Sequence, residues 1–271
     1  MGENVNIRRA QIITLLTDFG VKDAYASAMK GVLLGICPTV TLVDISHTVI
    51  KHDVLDGAFT LSQASPYFPK GTIHLAVVDP GVGTGRRRII IQGRHHLYIG
   101  PDNGVLSLAA TKDGVVKIFE IRNEAFMLPN SSKTFEGRDV FAPVAAHLAS
   151  GVNIDEFGSE VRNFSSISIS EPTKKDRVFL GEVIHIDNFG NITTNIPENM
   201  LRDIPLRVLI EVTVGEASKT CSFYETYNEV PKGVALLTLG SSGFLEIAVN
   251  RGSAKTLFKA KVGNRVTINP F

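Results

Sequence analysis

The chain has 271 residues, of which 44% are hydrophobic and 20% charged, a composition typical of one large or two modest globular domains. Its 28 Lys and Arg residues balance 27 Asp and Glu residues, giving a formal net charge of +1. This balance argues against a dedicated nucleic-acid-binding protein, which needs a basic excess to neutralise phosphates. No apolar run approaches the roughly 20 residues that cross a bilayer, so no membrane span is expected.

The two cysteines and the first residues bear on the cellular compartment. Cys37 and Cys221 lie in apolar contexts far apart in the sequence, which favours buried free thiols over a disulfide. Residues 1–11 are polar and lack the apolar core of a signal peptide. We therefore expect a cytoplasmic protein.

Strand-like and helix-like segments alternate through the first half of the chain. Short apolar runs predict strands over residues 12–16, 41–45, 73–78, 88–92, 97–99 and 115–121. Apolar residues at helical spacing predict helices over residues 25–36, 53–65 and 139–149. This order predicts an α/β domain over residues 11–165, with a mostly parallel central sheet and helices on both faces. Residues 151–176, rich in Ser and turn residues, are predicted to be loop and linker.

The second half has a different pattern. Short strands are predicted around residues 182–187, 207–214, 235–239, 245–249 and 265–269, with turn residues between them and no helical periodicity. This spacing predicts a smaller all-β barrel domain over residues 176–271.

The most informative segment is the turn that follows the strand at residues 73–78. Asp79 ends that strand, three glycines follow, and Arg86 opens a run of three arginines. Ligands of open α/β sheets bind at the carboxyl ends of strands, so an Asp and an Arg there favour chemistry. The glycine spacing fits neither a dinucleotide-binding loop nor a P-loop, and the next segment is a strand. The alternative to a functional site is a glycine-rich turn with a salt bridge.

Two further carboxylates belong to the same domain. Asp18 follows the first strand, where it would either accept hydrogen bonds from a ribose diol or cap the next helix. Glu136 lies in a loop before the third helix, where it would either complete an acid–base–acid cluster with Asp79 and Arg86 that orients a water, or be a surface residue. Asp139 is interpreted as the N-cap of that helix.

Candidate polar groups in the second half lie in turns. Asp187 and Asn191 could together receive an ammonium group, although these residue types are also usual in β-turns. Ser241 and Ser242 lie between two glycines and offer hydroxyl and backbone donors to a carboxylate, or form an ordinary turn.

Metal binding is poorly supported by the sequence. His95 and His96 are adjacent and would point to opposite faces of a strand, while His47 and His52 lack a metal-binding pattern. No G-x-S-x-G motif of a serine hydrolase is present.

Five segments in this order resemble the S-adenosyl-L-methionine (SAM) hydroxide adenosyltransferases, which are adenosine-forming SAM hydrolases related to the fluorinating and chlorinating SAM enzymes. The segments are T-D-F-G at residues 17–20, V-V-D-P-G-V-G at 77–83, G-P-D-N-G at 100–104, residues 134–143, and D-N-F-G-N at 187–191. The resemblance runs from about residue 12 to residue 269. It implies an α/β domain, a β-barrel domain, and a homotrimer whose active sites lie between one subunit's first domain and a neighbour's second domain.

The resemblance also implies roles for individual residues. Asp18 would bind the ribose hydroxyls, Asp187 and Asn191 the methionine amino group with Phe189 nearby, and Ser241 and Ser242 the methionine carboxylate. Val249, Asn250 and Arg251 fall where the family contacts the adenine edge, partly through backbone groups. His52 falls where the halogenating relatives carry an aromatic residue against the sugar, and Tyr227 is a weaker candidate for the adenine face.

The hydrolytic centre of the family is an Asp-Arg-His set around the attacking water. Asp79 and Arg86 match its first two members, but Glu136 falls where the family carries the His. Either the Asp–Arg pair alone orients the water, or Glu136 accepts a proton or a hydrogen bond in place of the imidazole.

The expected reaction is hydrolysis of SAM to adenosine and L-methionine, with no cofactor and no metal. Three alternatives stay open. The chain could be a SAM- or adenosine-binding protein without catalysis, a halogenase, or an unrelated phosphohydrolase that holds a metal on Asp18, Asp79 and Asp102. A halogenase is disfavoured because carboxylates beside the site would repel a halide ion.

Overall fold

The structure is a computed structural model that describes residues 11–130 and 132–270. The chain divides between Ile167 and Ser168 into two compact units, and each unit has a hydrophobic core of its own. Residues 1–10, part of the stretch in which no signal peptide is expected, lie outside the described residues. Among the helices described, none has the length and apolar character needed to cross a membrane.

A mixed six-stranded sheet forms the centre of the first unit. Its strands are β1 (Ile12–Thr17), β2 (Thr41–Ser46), β3 (Ile73–Val77), β4 (Arg88–Gly93), β5 (Leu97–Pro101) and β6 (Val115–Glu120). The order across the sheet is β2-β1-β3-β5-β4-β6. The pairs β2–β1, β1–β3 and β3–β5 are parallel, whereas β4 runs antiparallel to both β5 and β6. Each strand coincides with a segment predicted from its apolar run.

Helices cover both faces of this sheet, as predicted. They are α1 (Tyr25–Ile36), α2 (Val54–Ala64), α3 (Ser107–Asp113) and α4 (Ala142–Ala149). Helices α1 and α4 share one core with β1 and β3, and α2 and α3 contribute to a second core on the other face. Helix α3 was not predicted, because its seven residues are too few to establish a helical period.

The second unit is a nearly closed antiparallel sheet. Its strands are β7 (Thr173–Lys175), β8 (Val178–Ile186), β9 (Ile192–Pro197), β10 (Leu209–Val214), β11 (Ala217–Ser222), β12 (Ala235–Leu239), β13 (Phe244–Val249) and β14 (Arg265–Pro270). The main path is β11-β10-β14-β8-β9-β13-β12. A bridge between Phe223 and Leu237 brings its two ends together, so the sheet is barrel-like.

Two features of this unit differ from the prediction. Strand β7 lies in the segment predicted to be linker, where it pairs with β8. Two short helices, α5 (Glu198–Leu201) and α6 (Ala254–Phe258), occur where no helix was expected. Both helices are shorter than two turns, so they leave no periodic pattern in the sequence.

Gly100 of β5 allows a close approach between neighbouring strands. A Cβ atom there would collide with the backbone oxygen of Ala76 on β3 and press on Leu106 at 3.4 Å. We expect Gly100→Ala to lower the free energy of unfolding by about 1–3 kcal/mol, the usual cost of overpacking a core. Urea denaturation followed by circular dichroism measures this loss.

Gly31 provides the matched control. It lies inside α1, and a Cβ atom added there would meet no neighbouring atom within 4 Å, so Gly31→Ala adds helix propensity without a clash. The free energy of unfolding of that variant should be higher by about 0.5–1 kcal/mol. Equal effects of the two substitutions would show that the β3–β5 approach is not close in solution.

Candidate active site

Three neighbouring parallel strands each end on a carboxylate. Asp18 and Asp102 directly follow β1 and β5, and Asp79 is the second residue after β3. Thr17 pairs with Val77 across the β1–β3 ladder, so the ends of these two strands are in register. The carboxylates therefore lie along the carboxyl edge of the sheet, where ligands of open α/β sheets bind.

The turn after β3 brings Arg86 back over Asp79. The Arg86 Nε donates to Asp79 Oδ1 at 2.9 Å, and its Nη2 donates to the other carboxylate oxygen, which makes the pair bidentate. Of the three glycines, Gly83 has a left-handed backbone (φ +79°), and a Cβ atom added there would lie 2.9 Å from the Lys133 oxygen. Gly83 thus permits both the reversal of the chain and its contact with the segment before Glu136.

Glu136 completes a four-residue charge cluster. Its Oε2 accepts from Arg86 Nη2 at 2.5 Å, while its Oε1 accepts from Arg88 Nε at 3.0 Å and from Arg88 Nη2 at 2.6 Å. The side chains of Asp79, Arg86 and Glu136 are only 5%, 10% and 6% exposed, and that of Arg88 is 35% exposed. Two carboxylates and two guanidiniums balance formally, so the buried cluster is neutral.

The cluster keeps Glu136 ionised. Burial alone would raise the pKa of Glu136, but hydrogen bonds from Arg88 and Arg86 outweigh it and hold the pKa below its usual range. For Arg86, burial is likewise outweighed by the hydrogen bonds and charges of Asp79 and Glu136, and its pKa is raised. The three hydrogen bonds on its oxygens place Glu136 against both Arg86 and Arg88.

The ionised Glu136 makes stability depend on pH. Because its folded-state pKa is depressed, its contribution is present above the unfolded pKa of about 4.5 and is lost as the pH falls through the folded pKa. We expect Glu136→Gln to lower the free energy of unfolding by about 1–3 kcal/mol at pH 7. The gap between the two proteins should narrow as the pH falls below about 4.5. Urea titrations from pH 7 to pH 3 would contradict this if the gap stayed constant.

Arg88 was not among the predicted site residues, although the sequence contains a pattern that could have revealed it. Side chains alternate between faces along an extended segment, so Arg86 and Arg88 share one side and Arg87 takes the other. Arg87 pairs with Asp102 instead, with its Nε 2.8 Å from Asp102 Oδ2, and the other oxygen of Asp102 accepts from Ser165 N at 2.6 Å. Asp102 therefore takes part in a separate structural ion pair.

The helix predicted over residues 139–149 begins with an irregular turn beside the cluster. Gly137–Phe141 is π-helical and precedes α4, and the Phe141 ring lies 5.6 Å from the Arg86 guanidinium carbon. The interpretation of Asp139 as an N-cap was wrong. Asp139 lies within this turn, where it pairs with Arg138 at 2.6 Å and accepts from Ser132 N at 2.7 Å. Isolated π-helical turns occur frequently at functional sites.

Aromatic rings connect the Asp18 and Glu136 segments. Phe19 and Phe135 are the sequence neighbours of these carboxylates, and their ring centroids lie 5.7 Å apart in an edge-to-face contact. Tyr25 of α1 packs against both rings, at 5.8 Å from Phe19 and 5.2 Å from Phe135. The two candidate segments are thereby held on the same side of the sheet edge.

Asp18 does not cap the next helix. Helix α1 begins after Ala24 without a side-chain cap, whereas Asp18 Oδ2 accepts from the backbone N–H of His52 at 2.9 Å. His52 has a left-handed backbone (φ 65°), which is uncommon for a residue other than glycine and occurs often at binding sites. The structure thus brings together Asp18 and His52, two of the residues predicted to contact the sugar.

In the second unit, the Asp187–Asn191 segment is a tight turn between β8 and β9. Asp187 Oδ1 accepts from the backbone of Phe189 and Asn191 at 2.9 and 2.8 Å, and its Oδ2 accepts from the Asn191 amide at 2.9 Å. The segment is therefore a β-turn, which was one of the two predicted alternatives. The side chains of Asp187 and Asn191 are in contact, as a shared binding role for them would require. Phe189 is 77% exposed at the tip of the turn.

A buried carboxylate that was not predicted links the other candidates of this unit. Glu246 on β13 is 9% exposed, and its Oε1 accepts from the Tyr227 hydroxyl at 2.6 Å. Burial raises the pKa of Glu246 despite this hydrogen bond, and the charge of Asp187 raises it further. Its Oε2 lies 3.1 Å from the Cβ position of Gly240, beside the turn that carries Ser241 and Ser242. A charged residue between Leu245 and Ile247 in an apolar strand was the sequence feature that could have revealed it.

Val249, Asn250 and Arg251 lie where β13 ends. Val249 and Asn250 are both 8% exposed, and the Asn250 amide donates to Val230 O at 2.7 Å. Arg251 is exposed and has a left-handed backbone (φ 52°). The Asn250 side chain is therefore engaged within the unit, which leaves backbone groups and Arg251 for a ligand.

His95 and His96 lie outside the strands, as the predicted strands over residues 88–92 and 97–99 imply. Both lie in the connection between β4 and β5, and His95 Nδ1 is 2.7 Å from Asp113 Oδ1. Within residues 11–130 and 132–270, no three His, Cys, Asp or Glu side chains are grouped as metal ligands would be.

Taken together, the chain has the organisation of an α/β protein with a carboxylate–guanidinium site at the sheet edge, followed by a barrel-like unit. It belongs to the SAM hydroxide adenosyltransferase family. Residues 13–158 match the N-terminal domain of that family and residues 181–267 match its C-terminal domain.

Individual relatives and a solved structure agree with this assignment. The chain is 36% identical to an (R)-S-adenosyl-L-methionine hydrolase of Salinispora tropica, over 94% of this chain and 97% of the relative. It is 26% identical to a fluorinase of Actinoplanes sp., over 95% and 97% of the two chains. An uncharacterized conserved protein from Thermotoga maritima has the same fold, with a TM-score of 0.91 and 36% identity over 95% of this chain and 99% of that one.

Proposed function

We propose that the protein hydrolyses SAM to adenosine and L-methionine. The observation that carries this proposal is the buried Asp79–Arg86–Glu136 cluster at the carboxyl edge of the sheet. The name of the Salinispora tropica relative supports the same substrate. The similarity to the Actinoplanes fluorinase, at 26% identity, is lower than the 36% identity to the Salinispora hydrolase and gives weaker support to halogenation.

In the proposed reaction, the oxygen of water attacks the ribose 5′-carbon as the bond from that carbon to sulfur breaks. The sulfur takes the bonding electron pair and leaves as the neutral thioether of methionine, so neither an acid nor a metal is needed for its departure. Asp79 orients the water and accepts its proton, while Arg86 stabilises the partial negative charge on the attacking oxygen. Catalysis then depends on positioning and on removing bulk water.

Glu136 has a supporting role in this scheme. Both of its oxygens are occupied by Arg86 and Arg88, so it holds the Arg86 guanidinium against Asp79. A Glu136→His variant tests whether this supporting role contributes to catalysis. An unchanged rate and pH profile would show that position 136 takes no part.

The remaining candidates bind the substrate. Asp18 takes the ribose hydroxyls and His52 lies against the sugar, while Asp187 and Asn191 hold the methionine amino group beside Phe189. Ser241 and Ser242 take the methionine carboxylate. The adenine contacts are assigned to Tyr227, Val249, Asn250 and Arg251.

We propose that the protein is a cytoplasmic homotrimer. Each active site is formed by the domain at residues 11–165 of one subunit and the domain at residues 176–271 of its neighbour. The proposed activity requires no cofactor, and we propose no nucleic-acid or membrane partner.

Incubation of the pure protein with SAM in ¹⁸O-labelled water tests the reaction. Labelled adenosine and L-methionine are the expected products, with the label in the 5′-hydroxyl group. Tight adenosine binding without turnover would instead define a binding protein, and a strict Mg²⁺ requirement would favour a metal-dependent phosphohydrolase. A halogenated nucleoside formed in added chloride or fluoride would contradict hydrolysis as the main activity.

A further inference from the structure

A cavity of about 490 Å³ lies at the opposite edge of the first unit's sheet from Asp79. It is formed where β3 and β5 begin, by the segment before β3, the β4–β5 connection and the last turn of α3. Its volume lies within the range of about 300–1,000 Å³ that is usual for small-molecule sites. None of the residues assigned to SAM contributes to it.

The charge around this cavity is positive. Lys70, Arg94 and Lys112 come from three different segments and converge on it, with Asp113 as the acidic residue of the lining. Three cations against one carboxylate leave a formal charge of +2, in a chain whose total is only +1. These three cations form no ion pair within the part of the chain that the structure describes. They are therefore available to a ligand.

The wall of the cavity is rigidly constructed. The Asp113 carboxylate is held by the backbone N–H groups of His95 and His96, at 3.1 and 3.0 Å, and by the His95 ring. A side chain at position 93 would collide with that carboxylate, so Gly93 is needed for the approach. The acidic group is thus used to fix the β4–β5 connection, which carries Arg94.

The floor of the cavity contains a buried polar atom without a partner. His96 is 5% exposed, and its Nδ1 makes no hydrogen bond in the described structure. Burial lowers the pKa of His96, so its ring is neutral, and the unpartnered Nδ1 donates or accepts a hydrogen bond according to the tautomer. Phe68 and Tyr98 also line the cavity, and of these two aromatic rings only that of Phe68 is partly exposed. A buried polar atom without a partner, in a cavity lined by three cations, is an arrangement that a polar, negatively charged ligand would satisfy.

We propose that this cavity is a second ligand site, which binds a small phosphate monoester of an aromatic or heterocyclic compound. Arg94, Lys70 and Lys112 bind the phosphate, because the formal +2 charge matches a dianion and the Arg fork matches phosphate oxygens. The ligand's ring lies against Phe68. The site is separate from the proposed SAM site and does not depend on it.

Isothermal titration calorimetry of the full chain with phenyl phosphate at low salt tests this proposal. We expect a Kd below about 1 mM, with inorganic phosphate weaker and phenol not binding. Arg94→Gln and Lys112→Gln should each weaken binding by about tenfold. Lys175→Gln, which removes an exposed charge on β7, is the matched control and should leave the Kd unchanged.

Three outcomes would overturn the proposal: no detectable binding of phenyl phosphate at about 10 mM, an equal affinity for inorganic phosphate, or an affinity of the Arg94→Gln and Lys112→Gln variants equal to that of the unsubstituted protein. Weaker binding by Asp79→Asn would place the anion at the other edge of the sheet and would also overturn it. If Arg94→Gln fails to fold, the doubly substituted rim variant Lys70→Gln, Lys112→Gln decides the question, since both residues are exposed.

Discussion

Replacing Asp79 by Asn is expected to lower kcat for SAM hydrolysis by about 10²–10⁴-fold, the usual contribution of a positioned general base. The amide keeps the shape of the side chain but cannot accept the proton of the attacking water, and it weakens the bidentate contact with Arg86. The KM for SAM should change little, because Asp79 is assigned to the water and not to the substrate. Steady-state kinetics of adenosine release measures both constants.

Asp102→Asn is the matched control for this experiment. Asp102 also ends a strand at the carboxyl edge, but it pairs with Arg87 and Ser165 N and has no contact with Arg86 or Glu136 among the hydrogen bonds described. The folded control should retain kcat within a few-fold and lose stability instead. Full activity of Asp79→Asn, or an equal loss in both variants, would rule out the role given to Asp79.

Replacing Arg86 by Met is expected to have the largest effect on stability. The side chains of Asp79 and Glu136 are 5% and 6% exposed, and Arg86 is the cation that both share. Removing it leaves two buried carboxylates facing each other with only Arg88 as a counter-charge, at a cost of about 3–5 kcal/mol in the free energy of unfolding. The loss should be smaller at low pH, where the carboxylates can take up protons. Denaturant unfolding at pH 7 and pH 4 measures it.

Two variants make this prediction specific. Arg86→Lys keeps the charge but loses the planar fork, so it should recover part of the stability and little of the activity. Arg87→Met removes the neighbouring guanidinium, whose side chain is 31% exposed, and should cost less stability and leave turnover nearly unchanged. Equal losses from Arg86→Met and Arg87→Met would show that the buried cluster is not formed as described.

Local patterns predicted much of the first unit from sequence. The apolar runs marked its six strands, and the position of Asp79 after a strand, with glycines before Arg86, marked the chemistry at the sheet edge. Helix α1 was predicted to the residue because Met29 and Leu33 repeat on one buried face. These features depend on residues within a few positions of one another, so their patterns can be read from a single sequence.

The features that were missed depend on residues far apart in the chain. Arg88 contacts Glu136 across 48 positions, so the sequence shows the two charges without showing that they meet. Glu246 on β13 accepts a hydrogen bond from Tyr227, which begins a 3₁₀ turn, and only the folded unit shows why a carboxylate is tolerated in that strand. Asp139 was assigned to a cap because a π-helical turn has no pattern that distinguishes it from the first turn of an α-helix.

The shared carboxylate of Glu136 has a consequence for how this site can change by mutation. Glu136 and Arg88 neutralise each other inside a buried cluster, so replacing either one alone leaves an unmatched charge. Positions 88 and 136 should therefore be replaceable together more readily than singly, and the two single steps should be strongly epistatic. A lineage in which position 136 changes from Glu to a neutral residue, or from a neutral residue to Glu, has two routes. It either passes through a less stable single variant or changes position 88 at nearly the same time.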